Sequence, residues 1–406
     1  MIRNLVNRKY LLGNPNRILF RAISTNGKLV VPWEDGKTSK YHGIWLRDSC
    51  QCRECHHPTT LQRLINSSSI PLDISADSIT ENGDGVEITW KGDHKSFYTY
   101  EWLRDHSYDP VLVEPPSIKE VLWTGRDLHN SYVKDPYSRD IPQVEFDEVM
   151  RDDAGVGKWT RKIAEYGFAF VNNTPVDEKA TEELCKRIAF VRPTHYGGFW
   201  KFTSDMAKAD LAYSQEELGV HTDGTYFTDQ PGLQLFHLLE HIGTGGETPL
   251  VDGFKAAERL KELDPQAYTT LSTVPVPAHA AGNKDVCIQP ADSFPILMHD
   301  HKGLLVQVRW NSDDRSTMRE WDTPEQVLEF YRAAKVWSDI LSSQEFVFQF
   351  QLQPGRPMIF NNLRVLHGRT GFEGKRTMCG AYINRDDYVS RLRLTNFGRK
   401  EVLRFL

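Results

Sequence analysis

The second half of the chain breaks its apolar residues into short runs closed by glycine, proline or asparagine: "GLQLFHLLE", "LLVQVRW", "EFVFQFQLQPG", "PMIFNN" and "CGAYIN". Runs of this length between turn residues read as short strands. No internal repeat or low-complexity tract accompanies them. The economical arrangement is an antiparallel, double-layered β core with flanking helices, a mainly β fold. Two helices stand out. Val156, Trp159, Ile163 and Tyr166 recur at helical spacing before a stop at Gly167, and "FAFV" follows as a short buried strand. In "TPEQVLEFYRAAKVWSDIL", Thr323 is the predicted N-cap, Pro324 the first helical residue and Gln326 the capping-box partner.

The first hundred residues carry further strand patterns, "ILFRAI", "KLVVPW", "GVEITW" and "SFYTYEW", with a cysteine cluster in the loops between them. An irregular, proline-rich stretch then runs through "DPVLVEPPSIKEVLWTGRDLHNSYVKDPYSRDIPQ" and suits a connection between domains. The predicted boundary lies near residue 120, giving an N-terminal domain over 1–120 and a larger one over 121–406. At 406 residues with 39% hydrophobic composition, the chain can supply both cores.

Lys+Arg 49 against Asp+Glu 55, a net charge of -6, gives no concentrated positive charge for a nucleic acid. No apolar run approaches the roughly 18 to 20 residues that a bilayer crossing needs, and no secretory signal is present. A soluble, intracellular protein is expected, in the cytoplasm or the mitochondrion. The first 33 residues hold Arg3, Arg8, Lys9, Arg17, Arg21 and Lys28 with no acid, the charge bias of a mitochondrial transit peptide. Equally, "RILFRAIS" and "GKLVVPW" read as the first strand pair of the folded domain.

The chemistry centres on "GVHTDGTYFTDQPGLQLFHLLEH". On a strand, His221 and Asp223 project from one face, so imidazole and carboxylate can meet one ion. His367, which follows a strand and turn in "RPMIFNNLRVLHGRTGF", is the best third ligand. Two histidines and one carboxylate on one face leave open positions on iron, as in non-heme Fe(II) oxygenases. His237 and His241 read instead as satisfied core or surface residues. Arg376 in "EGKRTMCGAYIN" offers a planar fork to the far carboxylate of a keto acid. Thr248 offers a hydroxyl to the near carboxylate, or is simply a turn residue after Gly245 and Gly246.

Cys50, Cys52 and Cys55 supply three soft ligands for a tetrahedral, structural Zn2+. His94, His56 and His57 are available as the fourth, and His94 is preferred because a distant ligand ties two loops together. Before the HxD lie Tyr196, Phe199, Trp200, Phe202 and Tyr213, close to Asp210. These rings either belong to the core or box a quaternary ammonium through their quadrupoles.

Together "WLRDSCQCREC", "HTDGTYFTDQPGLQLFHLLEH", "TPLVDGF", "RVLHGR" and "AYINRDD" resemble the trimethyllysine dioxygenase and gamma-butyrobetaine dioxygenase family, from about residue 40 to the C-terminus. The motifs look most like its trimethyllysine-hydroxylating members. The resemblance implies a double-stranded β-helix (jelly-roll) catalytic domain, a small zinc-binding β-rich N-terminal domain, and a homodimer. It implies His221, Asp223 and His367 as iron ligands, Arg376 and Thr248 on 2-oxoglutarate, and Cys50, Cys52, Cys55 and His94 on zinc. Tyr196, Trp200 and Tyr213 would cage the trimethylammonium group with Asp210 beside them, and Asn311 would face the amino-acid end. The implied reaction hydroxylates N6,N6,N6-trimethyl-L-lysine at its β-carbon, the first step of carnitine biosynthesis, while 2-oxoglutarate and O2 are consumed and succinate and CO2 released; ascorbate would keep the iron reduced. Gamma-butyrobetaine hydroxylation is the nearest alternative, and a non-catalytic methyl-ammonium-binding barrel a remoter one that the intact His221, Asp223, His367 and Arg376 oppose. Gly224, Asn361, Leu363 and Ser312 depart from residues common in the family.

Overall fold

The structure is a computed structural model that describes residues 27–203 and 214–406. It divides into two units, Met1–Pro116 with Arg399–Leu406, and Ser117–Gly398. The expected strand "RILFRAIS" and the basic N-terminal leader lie outside the described residues.

In the first unit, β1 (Lys28–Pro32) pairs antiparallel with β2 (Thr38–His42), which leads into α1 (Gly43–Asp48). A three-stranded sheet follows, β3 (Ala76–Asn82), β4 (Gly85–Trp90) and β5 (Lys95–Thr99), closed by α2 (Tyr100–Asp105). Alternate residues turn inward, so Leu29, Val31, Val86, Ile88, Trp90 and Tyr98 form one core. The indole N–H of buried Trp90 is satisfied by Ser96 Oγ at 2.8 Å. The C-terminal segment joins this unit through Arg404, whose guanidinium grips both oxygens of buried Asp105 at 2.5 and 2.6 Å.

The second unit holds α3 (Gly125–Lys134), β6 (Gln143–Glu145), α4 (Phe146–Arg151), α5 (Asp153–Tyr166), β7 (Phe168–Asn172), α6 (Glu178–Ile188), β8 (Trp200–Thr203) and β9 (Leu218–His221). Then come β10 (Leu233–Gly245), β11 (Thr248–Asp252), α7 (Gly253–Leu263), α8 (Pro265–Thr273), β12 (Leu297–His299) and β13 (Leu305–Val308). Last are α9 (Pro324–Leu341), β14 (Phe348–Phe350), β15 (Met358–Asn361), β16 (Val365–Arg369), β17 (Phe372–Ile383) and α10 (Arg385–Asn396).

One sheet runs β6-β7-β15-β10-β17-β8 and a second β14-β11-β16-β9, an order consistent with a double-stranded β-helix. Phe170, Leu238, Met358, Phe360 and Met378 of the larger sheet meet Leu250, Phe348, Phe350 and Val365 of the smaller in one core. The outer face of the larger sheet is covered by α5, α6 and α10 through Trp159, Ile163, Leu184 and Tyr388. The outer face of the smaller is covered by α7, α8 and α9 through Leu260, Leu271, Phe330 and Trp337. The chain is thus mixed helix and sheet rather than mainly β. Both sheets bury an outer face as well as an inner one, and each outer face needs a helical layer.

Helix α5 ends at Gly167 in left-handed conformation, φ 79°, as its position predicts. Helix α9 starts with the Thr323 side chain accepting from Gln326 N–H. The expected reciprocal bond is shifted by one residue, because Gln326 Oε1 accepts from Asp322 N–H, not from Thr323.

Candidate active site

His221 ends β9 and His367 lies in β16, and the two are direct partners in the ladder between those strands. Their rings stand 4.5 Å apart. Asp223 is not on the strand as expected, but in the turn just after it. Gly224 makes that turn at φ 70°, a conformation that favours glycine. The side chain of fully buried Asn362 fixes it, accepting from Asp223 N–H at 2.8 Å and donating to the Asp223 carbonyl at 2.9 Å. The result sets Asp223 Oδ1 3.2 Å from His221 Nε2 and 3.8 Å from His367 Nε2. The three ligand atoms lie within 4.8 Å of one another. Cis positions on an octahedral ion with bonds of about 2.1 Å are about 3 Å apart, so the donor set fits one such ion.

Charge is balanced inside this cluster. Burial pushes the His221 imidazole down, but Asp223 and the Gly219 carbonyl outweigh it and hold the pKa up to about 9. Burial alone would raise Asp223; His221, His367 and the Tyr382 hydroxyl hold it well below the usual carboxylate range. His367 is pushed down to about 3 by burial and by neighbouring His221, so its imidazole is neutral and can act as a ligand.

These residues open into a cavity of about 320 Å³. Period two along β17 sends Arg376, Met378, Gly380 and Tyr382 inward, while Ala381 and Ile383 face the helices and Cys379 lies beside Thr181 of α6. Arg376 is buried with no ion-pair partner among the described residues, and burial with nearby Arg369 lowers its pKa to about 10. Its Cδ lies 3.6 Å from where a Cβ on Gly246 would sit, two residues before cavity-lining Thr248. Tyr196 and Trp200 also line the cavity. Trp200 pairs with Gly380 across β8 and β17, and only a missing Cβ there leaves room for the indole, since one would meet it at 2.4 Å. Asn311 lines the cavity, yet its amide is engaged locally, donating to Asp314 Oδ2 at 2.8 Å and accepting from Asp313 N–H. Asp210 and Tyr213 lie outside the described residues.

Residues 126–382 match the family described as "Taurine catabolism dioxygenase TauD, TfdA family", and residues 20–104 match "Gamma-butyrobetaine hydroxylase-like, N-terminal". The chain belongs to the TauD/TfdA dioxygenase family. It is similar to the trimethyllysine dioxygenase of Meyerozyma guilliermondii, at 48% identity over 92% of this chain and 94% of the relative. Human "Trimethyllysine dioxygenase, mitochondrial" is 34% identical over 87% of this chain and 82% of its own length. The gamma-butyrobetaine dioxygenase of Pongo abelii is more distant, at 29% over 89% of this chain and 92% of its own length.

Within this TauD/TfdA member the cavity holds residues that the sequence reading passed over: Gln234, Tyr226, Arg369 and Tyr382. Strand parity with Arg376 would have placed Tyr382 on the inner face. Of the departures, Gly224 cannot carry a Cβ without meeting Pro231 Cδ at 2.8 Å, Leu363 is buried, and Ser312 is exposed. Asn361 Oδ1 accepts from Leu363 N–H at 3.1 Å and shapes the turn before β16.

In the first unit, Cys50, Cys52 and Cys55 follow α1 and converge on His94 in the β4–β5 turn. His94 Nε2 lies 3.5, 3.8 and 3.5 Å from the three sulfurs in that order. Arg47 donates to Cys55 Sγ at 3.2 Å. His56 and His57 are not part of the cluster.

Proposed function

We propose that this TauD/TfdA-family chain is an Fe(II)- and 2-oxoglutarate-dependent dioxygenase that hydroxylates N6,N6,N6-trimethyl-L-lysine to the 3-hydroxy product. The observation that carries the chemistry is the convergence of His221, Asp223 and His367 in the lining of a cavity that also holds a buried arginine, Arg376, with no ion-pair partner among the described residues. The substrate rests on the greater similarity to trimethyllysine dioxygenases than to a gamma-butyrobetaine dioxygenase.

His221, Asp223 and His367 would hold iron through two imidazoles and one carboxylate oxygen. Bound iron supplies the activation of O2 that couples decarboxylation of 2-oxoglutarate to hydroxylation. Arg376 pairs its fork with the distal carboxylate of 2-oxoglutarate, which removes the cost of a buried unpaired cation. Thr248 adds a hydroxyl to the 2-oxoglutarate subsite. Tyr196, Trp200 and Tyr226 line the cavity and would offer aromatic rings to a quaternary ammonium, a cation that cannot donate a hydrogen bond. Asp210 and Tyr213 belong to this end in the same reading, and Asn311 to the amino-acid end.

The first unit binds structural zinc in this account. A tetrahedral ion with Zn–S of about 2.3 Å and Zn–N of about 2.0 Å sets sulfur and nitrogen about 3.5 Å apart, which is the spacing around His94. Ascorbate as iron reductant, a homodimer and a mitochondrial or cytoplasmic site complete the proposal. They are supported by the family resemblance, the "mitochondrial" relatives and the basic N-terminus.

Trimethyllysine and gamma-butyrobetaine separate the two substrate readings. Both carry the trimethylammonium group, so discrimination comes from groups that read the α-amino end; a site built around that amine rejects an analogue lacking it. The kcat/KM ratio, followed by mass spectrometry with Fe(II), 2-oxoglutarate and ascorbate present, should favour trimethyllysine. A ratio favouring gamma-butyrobetaine transfers the chain to the alternative function.

A further inference from the structure

The two oxygens of Asp223 have different surroundings. Oδ1 faces the Nε2 atoms of His221 and His367 at 3.2 and 3.8 Å. Oδ2 accepts from Gln234 Nε2 at 2.6 Å and from the Tyr382 hydroxyl at 2.7 Å. Those two donors are themselves a matched pair, because Gln234 in β10 and Tyr382 in β17 are direct cross-strand partners. Cross-strand partners share a face, here the inner one, and both side chains line the cavity and are buried at 2% and 6% exposure. Gln234 Oε1 is buried without a partner among the described residues, while the amide N–H is aimed at Asp223. Flipping it would set Oε1 against the carboxylate.

We propose that Gln234 and Tyr382 are positioning residues that keep Asp223 a one-oxygen metal ligand. An oxygen saturated by two strong donors is poorly placed to swing onto the ion, so only Oδ1 is offered. With Oδ2 held by these two donors, Asp223 would offer a bound ion one oxygen and leave room beside it for cosubstrate. Both donors reach the carboxylate from the larger sheet, whereas His221 and His367 belong to the smaller, so Asp223 is braced from the sheet opposite its fellow ligands. This inference rests on the reading of His221, Asp223 and His367 as the iron site.

The test uses the full chain with its zinc left in place and its iron removed, titrated with Mn(II), which competes poorly for thiolate ligands. Electron paramagnetic resonance reports both the free ion and the symmetry of the bound one. Tyr382→Phe keeps the ring and loses the hydroxyl, so it should bind Mn(II) roughly 10-fold more weakly and change the zero-field splitting of the bound ion. Gln234→Leu should do the same, and the double variant should exceed either. Thermal melting of Tyr382→Phe should stay near that of the unaltered chain, because packing is retained. Unchanged affinity and an unchanged spectrum in both Tyr382→Phe and the double variant would overturn the inference. If the unaltered chain binds no Mn(II), or His221→Ala binds it equally well, the iron-site reading fails as well.

Discussion

Arg376 is buried with a guanidinium fork that no carboxylate among the described residues satisfies, and a lysine in its place would keep the charge but lose the fork. Arg376→Lys is therefore expected to raise the KM for 2-oxoglutarate about 10-fold, with a much smaller rise for the amine substrate. Equal rises in steady-state assays would mean that another group holds the cosubstrate. His237 makes the contrasting case of a histidine used for structure. Its Nε2 accepts from Gly355 N–H at 3.1 Å, so Nδ1 carries the proton and donates to Thr181 Oγ1 at 2.7 Å. Burial pushes its pKa down to about 4. Between about pH 6.5 and that value the unfolded chain binds the extra proton, so stability is complete above 6.5 and falls with pH. From pH 7 to 5 this one group should remove about 2 kcal/mol, and His237→Gln should flatten the loss in urea unfolding by about that much. At this scale the sequence was readable where a residue type has few alternative uses. HxD with a distant histidine and an isolated arginine pointed to chemistry, and His237 read as a satisfied core or surface histidine rather than a ligand. Gln234 and Tyr382 went unseen because a glutamine or tyrosine in an apolar strand carries no mark until its cross-strand partner is known.

Among the elements, the β9–β16 ladder matters most, because it pairs His221 with His367. Gly368 lies inside it, and a Cβ there would stand 2.6 Å from the Leu218 carbonyl. Gly368→Ala should force the strands apart and weaken metal binding at least 10-fold, together with a stability loss of about 1–3 kcal/mol. A variant that melts lower yet binds metal normally would show that the ladder does not set the ligand geometry. Strand and helix patterns were legible for α5, β7 and α9, whose apolar period, caps and glycine stop are local. The helical layers over the sheets were less legible: α6, α7 and α8 are short, and their apolar faces make sense only against the outer surfaces of sheets that pair residues far apart in sequence. The turn holding Asp223 was misread as strand for the same reason, since its clamp, Asn362, is 139 residues away.

The whole molecule, under the proposed function, carries two metals with separate duties, iron for the reaction and zinc for the fold. One zinc per chain should remain by elemental analysis after a mild chelator has removed the iron. Cys52→Ser should lower stability, whereas a zinc-free, stable and fully active variant would contradict a structural zinc. The cysteine spacing announced that cluster, and His94, preferred among three candidate histidines because it is distant in sequence, is the one that lies with the sulfurs. Labelled oxygen tests the proposed dioxygenase reaction on trimethyllysine most directly. With oxygen-18 gas, mass spectrometry should find one labelled atom in the new hydroxyl of 3-hydroxytrimethyllysine and one in succinate, in equal amounts, and neither product from the His221→Ala chain. Unlabelled hydroxytrimethyllysine, or succinate formed without any hydroxylated amine, would contradict it.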